Sequence, residues 1–78
     1  MINVLLFAEL REQAGVSSIE IDGHGKKLSQ IINILKKNYP ELIINSDTML
    51  AVNEEYADED RMVFKGDQVA LIPPVSGG

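Results

Sequence analysis

Few side chains in this chain of 78 residues have both the type and the spacing for chemistry. With no cysteine present, a thiolate nucleophile, a disulfide framework and a thiolate zinc site are all excluded, and any sulfur chemistry must use sulfur from outside. His24 is the single histidine and sits between Gly23 and Gly25. Without a neighbouring nucleophile or an orienting partner it reads as an exposed turn residue rather than a general base. The carboxylates Glu54, Glu55, Asp58, Glu59 and Asp60 lack the central glycine and terminal bidentate glutamate of a calcium loop, so they read as a solvated turn. Gly23 and Gly25 are too few, and wrongly followed, to cradle a phosphate. No metal site is expected.

What remains is the end of the chain, Pro73-Pro74-Val75-Ser76-Gly77-Gly78. Each part has a physical use. Glycine has no Cβ, so Gly77 and Gly78 can thread a channel too narrow for other residues and carry the Gly78 carboxylate close to a reacting group. The two prolines favour an extended path and lower the entropy lost when the tail is ordered in such a channel. Val75 offers an apolar anchor and Ser76 a small spacer. Residues 1–72 are expected to form one domain and residues 73–78 a projecting tail.

The elements that must position this tail follow from the apolar pattern. Ile2 to Phe7 is apolar except for Asn3, which predicts an interior strand. Ser18 to Asp22 alternates with period two, a half-exposed strand pairing with the first as a hairpin across the polar segment Glu9 to Gly15. Leu28, Ile31, Ile32, Leu35 and Tyr39, spaced by three and four, form one stripe of a helix starting near Leu28 or Ser29, with Ser29 an acceptable N-cap; Pro40 stops it. Leu42 to Ile44 is a short apolar segment suited to closing the core. Met49 to Val52 predicts a third strand followed by a turn at Asn53 to Glu55. Met62 to Phe64 predicts a short edge strand, and Gln68 to Ile72 the last strand, ended by prolines that cannot donate to a ladder. One helix on one face of a mixed sheet is the α+β architecture known as the β-grasp or ubiquitin-like fold. A split βαβ arrangement would need a second full helix.

Both faces of the central strands are apolar: Ile2, Val4 and Leu6 oppose Leu5 and Phe7, and Val69 and Leu71 oppose Ala70 and Ile72. One helix covers one face. The other is either lidded by residues 40–48 or left as a patch, with Phe7 and Ile72 beside the tail, for a partner protein.

Composition narrows the rest. An apolar fraction of 45% and a charged fraction of 24% are ordinary globular values, and a chain this short buries only roughly 60 to 65% of its unfolded surface, which leaves little room for an internal active-site cavity. Net charge of −5 and a pI near 4.6 repel phosphate backbones and anionic lipid, so nucleic acid and membrane are not expected partners. The apolar run Met1 to Ala8 is too short for a span and lacks a basic leader or cleavage pattern, so a cytoplasmic location is expected.

The whole chain resembles the molybdopterin synthase small subunit family (MoaD) of ubiquitin-like sulfur carriers. The residues that carry the resemblance are Val4-Leu5-Leu6-Phe7-Ala8, Leu10-Arg11-Glu12, Ala14-Gly15, Ala51-Val52-Asn53, Gly66-Asp67, Val69-Ala70 and the terminal Pro-Pro-Val-Ser-Gly-Gly. Lys27 departs from the pattern, where a capping Ser or Thr is common. The resemblance implies that a ubiquitin-activating-type enzyme consumes ATP to adenylate Gly78, with no cofactor bound by the carrier itself. A sulfur donor then converts the adenylate to a thiocarboxylate, and the carrier delivers sulfur to cyclic pyranopterin monophosphate inside the synthase large subunit. It also implies a partner-binding surface at Phe7, Tyr56 and Ile72. Thiamine or tRNA thiolation, and isopeptide modification of proteins, use the same terminal chemistry and remain alternatives.

Overall fold

A computed structural model of the protein describes residues 1–74. Val75, Ser76, Gly77 and Gly78 lie outside the described residues, and with them most of the expected tail. The chain runs β1 (Ile2–Leu6), α1 (Glu9–Ala14), β2 (Ser18–Ile21), α2 (Leu28–Asn38), β3 (Met49–Val52), β4 (Glu55–Ala57) and β5 (Gln68–Ile72). The strands form one five-stranded sheet in the order β2-β1-β5-β3-β4.

The first and last strands pair in parallel at the centre, Val4 opposite Val69 and Leu6 opposite Leu71. All other pairings are antiparallel. Because strand side chains alternate with period two, this register lines up Ile19, Val4, Val69 and Val52 in one row across the sheet and Leu6, Leu71 and Leu50 in the next. All of these are buried and belong to one core cluster with Leu28, Ile31, Ile32 and Leu35 of α2. The stripe predicted from spacing is thus the face the helix lays on the sheet, and Tyr39 packs partly buried at its edge.

The helix begins one residue before Ser29. Lys27, in extended backbone, precedes it; the Lys27 N–H donates to Gln30 Oε1 at 2.9 Å, and the Gln30 N–H donates to the Lys27 carbonyl at 3.0 Å. The first turn needs no hydroxyl cap because a neighbouring loop also accepts from it, Leu28 N–H to the Arg61 carbonyl and Ser29 N–H to the Glu59 carbonyl. Lys36 and Lys37 lie in the last turn, where they favour the helix dipole.

Three expectations need correction. Glu9 to Gly15 is not a plain connection: Glu9–Ala14 is a short helix, anchored by the buried Leu10 and closed by Gly15 in the left-handed region at φ 77°. Fewer than two turns with one fully buried residue give too little periodicity to detect. The short edge strand is Glu55–Ala57 rather than Met62 to Phe64, and the turn shrinks to Asn53-Glu54, with φ of 51° and 71°. Two such positive values are the signature of the tight hairpin turn whose twist matches antiparallel strands. The alternation at 62–64 is real, since Val63 is fully buried between exposed Met62 and Phe64. Its partner is the lead-in to α2: Gly25 N–H donates to the Val63 carbonyl at 2.7 Å, and Val63 N–H to the Lys26 carbonyl at 2.9 Å.

Gly23 is buried, and a Cβ there would run into the Ile31 side chain and lie 3.3 Å from Ile2 Cγ1. This glycine serves close packing between the turn and α2. A mixed sheet with α2 on one face and the parallel pair at its centre is the β-grasp architecture expected from the sequence.

Candidate functional site: the open sheet face and the root of the tail

Residues 40–48 do not lid the second face. Leu42 and Ile44 are buried in the core cluster on the helix side, and the Ile43 N–H donates to Gln13 Oε1 at 2.9 Å, tying the segment to α1. The opposite sheet face is therefore left as a trough lined by Leu5, Phe7, Ala51, Glu54, Tyr56, Gln68, Ala70 and Ile72.

Register explains its shape. Leu5, Ala70, Ala51 and Tyr56 stand in one row across four strands, and the two alanines, which carry only a methyl group, form the floor. Phe7, 41% exposed, and Tyr56, 75% exposed, stand on either side of it. Ile72 is half-buried beside Met49 in the next row toward the tail. Phe7, Tyr56 and Ile72, far apart in sequence, thus border one surface.

Phe7 is set by the turn that follows it. Ala8 has φ 51° and ψ −125°, a region that favours glycine, and the Leu10 N–H closes the turn on the Phe7 carbonyl at 3.1 Å. The hairpin that carries Tyr56 is fixed from the other side. Asn53 Nδ2 donates to Asp67 Oδ1 at 3.0 Å, the Gln68 N–H donates to Asn53 Oδ1 at 3.0 Å, and the Asn53 N–H donates to the Gln68 carbonyl at 2.8 Å. Asp67 Oδ2 in turn accepts the Phe64 N–H at 2.8 Å. The Asn53 amide, then the Phe64 N–H and the charge of Arg61, hold the Asp67 carboxyl below the usual carboxylate value.

Pro73 and Pro74 leave β5 beside a second hollow, lined also by Glu9, Leu10, Gln13, Ile43, Asn45 and Thr48. The root of the tail therefore lies against α1 and the 43–48 segment, next to the Ile72 end of the trough. Val75, Ser76, Gly77 and Gly78 fall outside the described residues.

His24 is exposed as expected, but it has a structural tie: the Lys65 N–H donates to its Nδ1 at 2.9 Å, and its ring meets Phe64 edge-on with centroids 5.7 Å apart. Among the described residues no group of three or more His, Asp or Glu side chains is placed to hold a metal ion. No helix among them is long and apolar enough to cross a membrane. The strand pattern pointed to Phe7 and Ile72 at the borders of the trough and the family resemblance alone to Tyr56, but neither pointed to its floor at Ala51 or its rim at Glu54. The signal for the floor was small residues at matching positions of β3 and β5, legible only once those strands are known to be neighbours.

What this surface can do chemically is limited: it offers an apolar contact area near Pro73 and Pro74, not a pocket with convergent polar groups. The chain as a whole is similar to known proteins. The chain is 40% identical over 80 residues to the molybdopterin synthase sulfur carrier subunit of Dictyostelium discoideum, covering 96% of this chain and 93% of that one. It is 38% identical over 79 residues to the protein of the same name from Arabidopsis thaliana, covering 99% and 82%. The solution structure of small archaeal modifier protein 1 from Methanosarcina acetivorans superposes with a TM-score of 0.83 at 25% identity, over 99% of this chain and 95% of that one. The ThiS family matches residues 4–78, and with that match spanning both the trough and the terminal Gly-Gly, the chain belongs to the ThiS family.

Proposed function

We propose that the protein is the sulfur carrier of molybdopterin synthase, working through a thiocarboxylate on Gly78. The observation that carries this reading is the open apolar face of Phe7, Tyr56 and Ile72 lying at the root of the tail. It supports docking of a second protein that receives the chain end, in a family whose curated relatives are named as that carrier.

The chemistry is that of an activated carboxylate. An oxygen of the Gly78 carboxylate attacks the α-phosphate of ATP in the activating enzyme, pyrophosphate leaves, and an acyl-adenylate forms. Sulfur supplied by a donor at the sulfide level, as hydrosulfide, then attacks the carbonyl carbon and expels AMP. The resulting thiocarboxylate sulfur is softer and less tightly hydrated than a carboxylate oxygen and so a better nucleophile. Docked on the synthase large subunit, with Pro73 and Pro74 limiting the entropy lost by the tail and Gly77 passing where no Cβ fits, the Gly78 sulfur forms a C–S bond to cyclic pyranopterin monophosphate as an oxygen substituent leaves. Hydrolysis of the resulting thioester keeps the sulfur on the pterin and returns the Gly78 carboxylate. The carrier supplies the reagent and the large subunit the pocket. No cofactor resides on the carrier, and the cytoplasm, which holds ATP and the activating enzyme, is the compartment that suits this cycle.

Intact mass spectrometry before and after incubation with the activating enzyme, ATP and a sulfur donor tests the reading. A gain equal to one oxygen replaced by sulfur, located on Gly78, is expected; no gain with an enzyme shown to be active rejects it. The likeness to a small archaeal modifier protein favours one second reading, attachment of Gly78 to a lysine amine by an isopeptide bond. Higher-mass adducts retaining the carrier would support that instead.

A further inference from the structure

The open face has a direction. Strand register places Glu20, Asn3 and Gln68 in one row, Ser18, Leu5, Ala70, Ala51 and Tyr56 in the next, and Ile72 and Met49 in a third nearest the tail. Rows on one face are two residues apart, about 6.6 Å, so the polar row lies roughly 13 Å from the Ile72 row. The face thus passes from apolar at the tail root to polar and acidic at the far end.

Glu54 belongs to the acidic end. It lines the trough together with Gln68, and it is the only carboxylate that does so among the described residues. It also occupies the second position of the Asn53-Glu54 turn at φ 71°, where an L side chain is strained and glycine fits freely. A glutamate therefore stands where the fold alone favours glycine, and its exposed carboxylate faces the same surface as Phe7 and Ile72.

We propose that Glu54 is a specificity-determining residue of the docking face. The partner that lies on this face carries a lysine or arginine opposite Glu54 and an apolar side chain opposite Phe7 and Ile72, so that charge fixes its orientation relative to the tail. The proposal rests on the carrier reading, with the synthase large subunit as the partner. Its physical logic is that a rim charge adds modest affinity but strongly biases encounter and register, because the reversed orientation sets the partner's cation against the apolar end.

The test measures the dissociation constant of the full chain for the cognate large subunit at about 50 mM and about 500 mM salt, where screening lengths differ roughly threefold. Glu54→Lys is expected to weaken binding by roughly tenfold at low salt, with less than about twofold remaining at high salt, and Glu54→Gln to fall between. Glu54→Gly is expected to melt at a higher temperature than the parent while binding more weakly, which separates the side chain's role from turn stability. Ile72→Asp is expected to weaken binding at both salts. Normal low-salt binding by Glu54→Lys with loss in Ile72→Asp overturns the role of Glu54 and leaves the docking face standing. Normal binding by Ile72→Asp overturns the dock altogether, and sulfur loading of Gly78, read by mass, then shows whether the carrier reading survives without it.

Discussion

Truncating Tyr56 separates docking from folding more cleanly than any other change on the open face. Its side chain is 75% exposed, so Tyr56→Ala gives up little packing in the free protein. The fold loses at most the strand preference of an aromatic over alanine and one cross-strand contact with Ala51, about 0.5 to 1 kcal/mol. An aromatic side chain buries about 150 to 250 Å² when fully covered, so roughly 150 Å² of Tyr56 is available to a partner. At about 25 cal/mol per Å², covering most of it is worth roughly 3 kcal/mol. Ordering the ring on binding removes about 1 kcal/mol of this. The net, about 2 kcal/mol, corresponds to roughly a 30-fold increase in the dissociation constant. Titration calorimetry against the large subunit reads that change, and a thermal melt of the free variant reads the control. Affinity within about twofold of the parent, with the melt unchanged, would refute the assignment of Tyr56 to the docking face.

Further outcomes follow from the core and its supports. Gly23→Ala forces a Cβ against the Ile31 side chain and is expected to cost about 1 to 3 kcal/mol by overpacking; chemical denaturation measures it, and Gly23→Ala with Ile31→Val should recover part of the loss. Leu35→Ala, fully buried where α2 meets the sheet, is expected to cost about 2 to 5 kcal/mol, a drop in melting temperature of at least about 8 °C for a domain of this size. Asp67 has a folded pKa below its usual 3.8, so its ionised form contributes stability that is fully present above that value and is lost as pH falls through the lower folded one. Asp67→Asn should therefore destabilise at neutral pH, and its deficit relative to the parent should shrink in denaturation curves taken progressively below about pH 4. A one-residue extension after Gly78 should leave the melt unchanged and abolish sulfur loading, because the carboxylate would then sit one residue beyond its place in the activating enzyme; loading at the parent rate would count against the tail mechanism.

Much of this molecule was legible before its fold. The stripe Leu28, Ile31, Ile32, Leu35 reports a helix because only a 3.6-residue period brings those positions together. The alternation in Gln68 to Ile72, ended by Pro73 and Pro74, reports a strand with a definite stop. These are local signals, and local signals survive in a linear text. The segments misread from sequence are those whose structure is decided by a distant partner. Val63 alternates like a strand, yet it bonds to the Gly25 to Lys27 lead-in. Glu55–Ala57 looks like a turn in a run of acids, yet it pairs with β3 because the Asn53-Glu54 hairpin brings it there.

The composition of the chain settled that it has no thiol of its own and that most of its aliphatic side chains must enter one core, and it directed the proposal for the chemistry to the Gly-Gly end. Only the tertiary structure decided that Phe7, Tyr56 and Ile72 face one way, that Ala51 and Ala70 floor the space between them, and that Glu54 stands at its acidic rim. A surface is assembled by strand order and register, and both are set by the packing of α2 against residues contributed from both ends of the chain. That long-range closure has no local trace in the sequence.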